Sequence, residues 1–266
     1  MTLRLWVMSV ICAFLVANPA LGDPRPIRVL FVGNSLTYFN ALPSMVAALA
    51  ARSHPMKRLE VEMLAAPGAT IRQTLDSGQF GKAMSAKEFD VVVLQEAGGF
   101  PLCSDDFPGC KESPAALEEA AALAHRSGAR LILLATFTQP DMQARLSLAG
   151  KKVAEDLGAE WFDWGKALGE AGARARGMVL IGPDFHPTPD GSWLAALGLS
   201  RIITGASAPD SHVRVCAPDW SHAQPPVSNS RFASRQDQPP ANCFEPDEST
   251  YSILTTVITQ LLKAKS

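Results

Sequence analysis

No block of lysine and arginine occurs anywhere in the 266 residues, and the formal charge is only −2. The chain therefore lacks the basic footprint that a phosphate backbone or an anionic lipid surface requires, and nucleic acid is not an expected partner. Aromatics are scarce at 7%, and no repeated Trp or Tyr platform marks a dedicated polysaccharide groove. No long exposed apolar segment declares a lipid surface, and no internal repeat recurs. Neither of the two later cysteine pairs has the close spacing, with histidines nearby, of a zinc site, so no metal is expected.

What is present begins with an apolar fraction of 47%, enough for a sizeable core, and one domain plus an extension is the natural reading. Arg4, an apolar stretch over residues 5–17 and then Pro19-Ala20-Leu21-Gly22 read as an export signal cut after Gly22. The stretch is shorter than the ~20 residues that span a bilayer, so no stable membrane insertion is expected after cleavage. The mature chain is then periplasmic or secreted. Cys12 leaves with the signal, and Cys103, Cys110, Cys216 and Cys243 remain. Of three possible pairings, proximity favours Cys103 with Cys110 and Cys216 with Cys243, and an oxidising compartment makes disulfides the default.

Apolar runs over residues 27–32, 59–65, 90–94, 130–135 and 160–163 read as strands. Amphipathic stretches over 42–53, 114–127, 141–157 and 190–204 read as helices. Strands rich in Val, Ile and Leu that alternate with helices imply a parallel sheet covered on both faces. Residues 23–204 form the expected core, and 205–248, rich in Pro, Ser, Asn and Gln, an irregular excursion stapled by its cysteines. Residues 249–266 are expected to form a helix docking Tyr251, Leu254, Ile258 and Leu261 on the core.

Ser35 follows the first strand in Gly33-Asn34-Ser35-Leu36-Thr37. A hydroxyl on a tight turn at a strand's carboxyl end suits either a nucleophile or an anion-binding cradle of flavodoxin type. His186, in the loop Asp184-Phe185-His186-Pro187-Thr188 before a late helix, is the histidine that the fold can return to the same sheet end. His54 and His125 end helices, where histidine commonly sits near the last carbonyls. Asp219 and His222 have the spacing of an orienting acid and base but no following glycine and helix. Gly68, on the turn after the second strand, and Gln95, at the end of the third, are candidate oxyanion donors through a backbone N–H and a side-chain amide.

Four spaced segments carry a family resemblance: Phe31-Val32-Gly33-Asn34-Ser35-Leu36-Thr37, Ala66-Pro67-Gly68-Ala69, Val91-Val92-Val93-Leu94-Gln95-Glu96, and Asp184-Phe185-His186-Pro187-Thr188 followed by Gly191. Their order resembles the blocks of SGNH (GDSL-type) hydrolases, from residue 27 to about 204. The third segment resembles a VVLQE subgroup of largely undefined substrate. The resemblance implies a flavodoxin-like three-layer α/β/α sandwich and hydrolysis of acyl esters without a cofactor. By motif it implies Ser35 as nucleophile, His186 as base, and the Ser35 and Gly68 N–H groups as oxyanion donors. Gln95 stands where the family usually has asparagine, and Pro183 where its acid usually stands. Either Asp184 turns back onto the imidazole or the Pro183 carbonyl accepts the Nδ1 proton.

The expected activity is that of an exported serine esterase acting on a small-molecule or carbohydrate acyl ester, with Ser35, His186 and Asp184 catalytic. An acyltransferase or carbohydrate deacetylase would use the same residues. A non-catalytic binding module on the same scaffold is the reading from another class, and an anion- or mononucleotide-binding protein would leave the His186 segment unexplained. The loops after Gln95 and beyond the His186 helix are expected to shape the pocket. Nothing in the sequence sets an oligomeric state.

Overall fold

The computed structural model describes residues 25–102, 109–209, 211, 213–218 and 241–263. The strands β1 (Ile27–Gly33), β2 (Leu59–Ala65), β3 (Val91–Leu94), β4 (Arg130–Leu134) and β5 (Glu160–Phe162) pair in parallel, in the order β2-β1-β3-β4-β5. The helices are α1 (Ser35–Tyr38), α2 (Leu42–Ser53), α3 (Ile71–Asp76), α4 (Gln79–Ala86), α5 (Ser113–Arg126), α6 (Pro140–Asp156), α7 (Trp164–Arg174), α8 (Pro189–Thr204) and α9 (Glu248–Lys263).

Strand side chains alternate between faces, so an unbroken apolar strand needs cover on both. Val29 and Phe31 of β1 join a core built with α2, α7, α8 and α9. Leu30 and Val32 join a second core built with α3, α4, α5 and α6. Helix α8 is buried along most of its length, including Trp193, Leu194 and Leu199. Its start follows from local chemistry: Pro189 occupies the first turn, and the Thr188 side chain accepts the Gly191 N–H. From β1 the chain runs outward to β2 and then returns across β1 to β3, so the carboxyl ends of β1 and β3 flank the topological switch point.

Several elements differ from the pattern expected from sequence. The stretch between β2 and β3 holds α3 and α4, and α3 opens with a capping box between Thr70 and Gln73. Asp163, read as a strand end, instead caps α7 by accepting the Lys166 N–H. The region expected to be irregular contains an antiparallel pair, β6 (Val215–Pro218) and β7 (Ala241–Phe244), with Cys216 opposite Cys243 and disulfide-bonded to it. Each strand is only four residues long, too short for an alternation of apolar residues to mark it in the sequence. Cys110 is disulfide-bonded. Cys103, the expected signal over residues 1–22, and Asp219 and His222 lie outside the described residues.

Helix α9 buries Tyr251, Leu254, Val257 and Ile258, and the Tyr251 hydroxyl donates to the Pro209 carbonyl at 2.6 Å. Before its first turn, Asp247 accepts the Thr250 N–H and the Ser249 and Thr250 hydroxyls, which holds its carboxyl down at about 2. Among the described residues no helix is long and apolar enough to cross a membrane.

Tyr38, fully buried at the end of α1, has a hydroxyl without a hydrogen-bond partner among the described residues, and burial pushes its pKa up to about 12. An unpartnered buried hydroxyl contributes nothing to offset its desolvation. Tyr38→Phe is expected to leave stability unchanged or raise it by up to ~1 kcal/mol in urea unfolding. Spectrophotometric titration of the folded chain, which has two tyrosines, should show one of them ionising only near the upper end of the accessible range.

Candidate active site

Strand β1 ends at Gly33, and the next three residues turn the chain into α1. Asn34 caps this helix with its side-chain oxygen, which accepts the Leu36 N–H at 3.1 Å, while its Nδ2 donates to the Ala69 carbonyl at 3.1 Å. Ser35 is thereby held at the first helical position, facing the crevice beyond the strands. From β3, the Gln95 side chain reaches beneath this turn. Its Oε1 accepts the Asn34 N–H at 3.2 Å and the Thr37 hydroxyl at 2.9 Å, and its NH2 donates to the Glu96 carbonyl. A Cβ on Gly33 would lie 2.7 Å from the Gln95 Oε1, so only glycine admits that approach.

This geometry corrects the expected role of Gln95. It is 1% exposed, does not line the cavity in front of Ser35, and turns its amide to backbone on the inner side of the turn. It is a brace beneath the turn that carries Ser35.

His186 arrives from the opposite side of the crevice. Its Nε2 lies 2.8 Å from the Ser35 Oγ, and its Nδ1 lies 3.0 Å from the Asp184 carbonyl oxygen. A carbonyl can only accept, so Nδ1 carries the proton in that bond and Nε2 presents its lone pair to the serine hydroxyl. The Asp184 carboxylate is close as well: Oδ2 is 3.4 Å from Nδ1, and Oδ1 accepts the His186 N–H at 3.2 Å. Asp184 thus faces the imidazole with both its carbonyl and its carboxylate, and the Pro183 carbonyl is not the acceptor at Nδ1.

The short spacing is possible because the chain reverses sharply between Gly182 and His186. Gly182 N–H donates to the His186 carbonyl at 2.7 Å, and Phe185 N–H to the Gly182 carbonyl at 3.1 Å. Phe185 takes a left-handed φ of 61°, and its side chain is 71% exposed. A bulky residue in that region is strained by about 1–2 kcal/mol. Two residues that the sequence pattern did not single out hold the histidine in place. Phe39 stacks on the imidazole with ring centroids 4.1 Å apart. Asn40 Nδ2 donates to the Pro187 carbonyl and the Ser192 hydroxyl, both at 2.9 Å, and so ties the turn after α1 to the histidine loop. A polar residue between the apolar Phe39 and Ala41 was the available signal for Asn40.

Ser35 and His186 open into a cavity of about 1080 Å³, lined also by Asn34, Gly68, Ala97, Phe137 and Phe185. Gly68 has φ 61° on the turn after β2. Neither the Ser35 N–H nor the Gly68 N–H donates to another protein group among the described residues. Two backbone N–H groups on residues that line this cavity are therefore unengaged by the described residues. Glu96, next to Gln95 after the end of β3, is 2% exposed, and burial pushes its carboxyl pKa up against the pull of the Ala97 and Ile71 N–H groups. His54 caps the end of α2, and His125 Nε2 lies 2.9 Å from the Leu157 carbonyl, so both are placed away from the crevice.

No protein-family model matches the chain, and no curated protein matches it either. Solved structures do. A proposed SGNH hydrolase from Slackia heliotrinireducens aligns at 25% identity and a TM-score of 0.55, over 66% of this chain and 98% of that one. Axe2, an acetylxylan esterase from Geobacillus stearothermophilus, aligns at 19% identity and 0.53, over 67% and 94%. LAE5, an α/β hydrolase from the metagenome of Lake Arreo, Spain, aligns at 20% and 0.54, also over 67% and 94%. The five-stranded parallel sheet with helices on both faces is the fold of SGNH hydrolase structures.

Gln95→Leu removes the acceptor for two buried donors, Asn34 N–H and the Thr37 hydroxyl. Each donor left unpaired costs about 1–3 kcal/mol, so a fall in urea-unfolding stability of at least that size is expected. A variant as stable as the parent would show that the brace carries no energy.

Proposed function

We propose that the chain is a serine esterase that hydrolyses acyl esters, exported by its first 22 residues. The observation that carries this reading is the 2.8 Å contact between Ser35 Oγ and His186 Nε2, beside two unengaged backbone N–H groups at the mouth of a cavity large enough for an ester with a sizeable alcohol. The likeness to acetylxylan esterase and hydrolase structures supports an ester carbonyl as the electrophile. The export reading rests on the sequence of the first 22 residues.

In this reading Ser35 Oγ attacks the ester carbonyl carbon while its proton passes to His186 Nε2. The oxygen that gains charge is met by the Ser35 and Gly68 N–H groups, which are in place before the charge develops. The imidazolium then donates its proton to the departing alkoxide, leaving an acyl group on Ser35. Water attacks the acyl carbon, His186 takes its proton, and collapse of the second tetrahedral species frees the acid and restores the serine hydroxyl. Throughout, the Asp184 carbonyl holds Nδ1 in the protonated tautomer, and the Asp184 carboxylate stabilises the positive ring from 3.4 Å.

Turnover of a p-nitrophenyl acyl series from acetyl upward tests the reading. Ser35→Ala and His186→Ala are each expected to lower kcat by ~10³-fold or more. An unchanged rate in Ser35→Ala would end the proposal. A triad that loses its orienting acid can lose ~10⁴-fold through the wrong tautomer. Here the backbone acceptor at Nδ1 survives substitution, so Asp184→Asn is expected to lower kcat by only about tenfold, the loss of one nearby charge.

A further inference from the structure

Glu96 has no part in the proton transfers above, yet its buried carboxyl is bonded to the backbone of Ala97, which lines the cavity, and of Ile71, which follows the lining residue Thr70. Its Oε1 accepts the Ala97 N–H at 2.6 Å and the Ile71 N–H at 3.3 Å. These two donors belong to different stretches of backbone. Ile71 opens α3 and follows Gly68 and Thr70, which line the cavity. Ala97 begins the run Ala97-Gly98-Gly99, which lines it on the neighbouring side. One oxygen atom therefore fixes the separation of two walls. With two glycines in succession, the second wall has few side chains of its own to hold it.

We propose that Glu96 is a positioning residue, whose buried carboxyl joins the Gly68 turn to the Ala97-Gly98-Gly99 loop and so keeps the Gly68 N–H in register with the Ser35 hydroxyl. The Gly68 turn is then pinned from two directions. Asn34 Nδ2 holds the Ala69 carbonyl from the nucleophile side, and Glu96 holds the Ile71 N–H from below. Adjacent residues divide the task, because Gln95 braces the turn that carries Ser35 while Glu96 braces the turn that carries the second donor. A carboxyl at this position suits the task geometrically: one oxygen can accept from both N–H groups, which an aliphatic side chain of equal length cannot.

This inference rests on the esterase reading, and the experiment separates the two. Glu96→Met keeps the side-chain length and removes the acceptor. Glu96→Gln keeps a carbonyl oxygen for both N–H groups. Each variant, with folding verified by circular dichroism, is assayed on p-nitrophenyl acetate and for the rate at which Ser35 is labelled by a fluorophosphonate, whose P=O oxygen uses the same donors. A donor displaced by a fraction of an ångström is expected to lower kcat about 10- to 100-fold in Glu96→Met, with labelling slowed in parallel. KM should stay within ~2-fold, because the interaction acts on the transition state. Glu96→Gln should recover kcat to within ~3-fold of the parent, since the acceptor is restored. A parental kcat in Glu96→Met, a raised KM at unchanged kcat, or a Glu96→Gln as slow as the Met variant would overturn the role. If Glu96→Met does not fold, Glu96→Gln decides alone: near-parental kcat supports the role, and a loss of ~10-fold or more overturns it. A parent chain that neither turns over esters nor labels at Ser35 would instead overturn the esterase reading, and the positioning role with it.

Discussion

The Gln95 side-chain oxygen accepts two buried donors from the turn after β1, and the rest of the site is arranged around that junction. β1 and β3 are neighbours at the one place in the sheet where the chain reverses its order of travel. A crevice opens there because the connections leave in opposite directions. Without a brace, a turn at the edge of such a crevice would have solvent on one side and only backbone on the other. Gln95 removes that freedom, Gly33 makes room for it, and Ser35 is left as the part of the turn that faces outward. Ser35 is half-buried at the crevice while Asn34 and Thr37 on either side of it are buried and hydrogen-bonded.

The histidine half of the site is built on a different principle. Its loop is short, strained at Phe185, and held by contacts from elsewhere in the chain: Phe39 stacked on the ring, Asn40 bonded to Pro187 and Ser192, and α8 anchoring the loop's far end. The strain is tolerated because these contacts over-determine the loop. Its product is an aspartate two residues from the histidine that meets Nδ1 with its carbonyl and approaches it with its carboxylate. In the proposed mechanism, orientation and charge stabilisation, which a single carboxylate usually supplies together, are divided between two groups of one residue.

The strands, the order of the motifs and the pairing of Cys216 with Cys243 were legible in the sequence. Each follows from a pattern in the sequence: continuous Val, Ile and Leu for a strand covered on both faces, Gly-Asn-Ser at its end, and each cysteine paired with its nearest remaining neighbour along the chain. Helices α3 and α4 escaped because they are short, although Thr70 and Gln73 announced the first of them. The β6 and β7 pair escaped because strands of four residues are too short for a periodicity to be read. For Gln95, sequence reasoning placed the right residue at the right strand end but assigned its amide to the cavity. The direction in which a side chain points from a strand end depends on what lies across from it, here Asn34 and Thr37.

The sequence alone determined the layered α/β architecture, because burial of unbroken apolar strands permits little else, and it determined that Ser35 and His186 were the residues to bring together. Tertiary structure decided what assists them. Gln95 accepts from the turn that carries Ser35, Glu96 accepts the Ala97 and Ile71 N–H groups, Asp184 meets the imidazole by two routes, and Asn40 joins two segments about 150 residues apart in the chain. Apart from the closeness of Asp184 to His186 along the chain, none of these facings is encoded by residue type or spacing. Each depends on which donor happens to face which acceptor across elements distant in sequence, and only the packed chain specifies those facings.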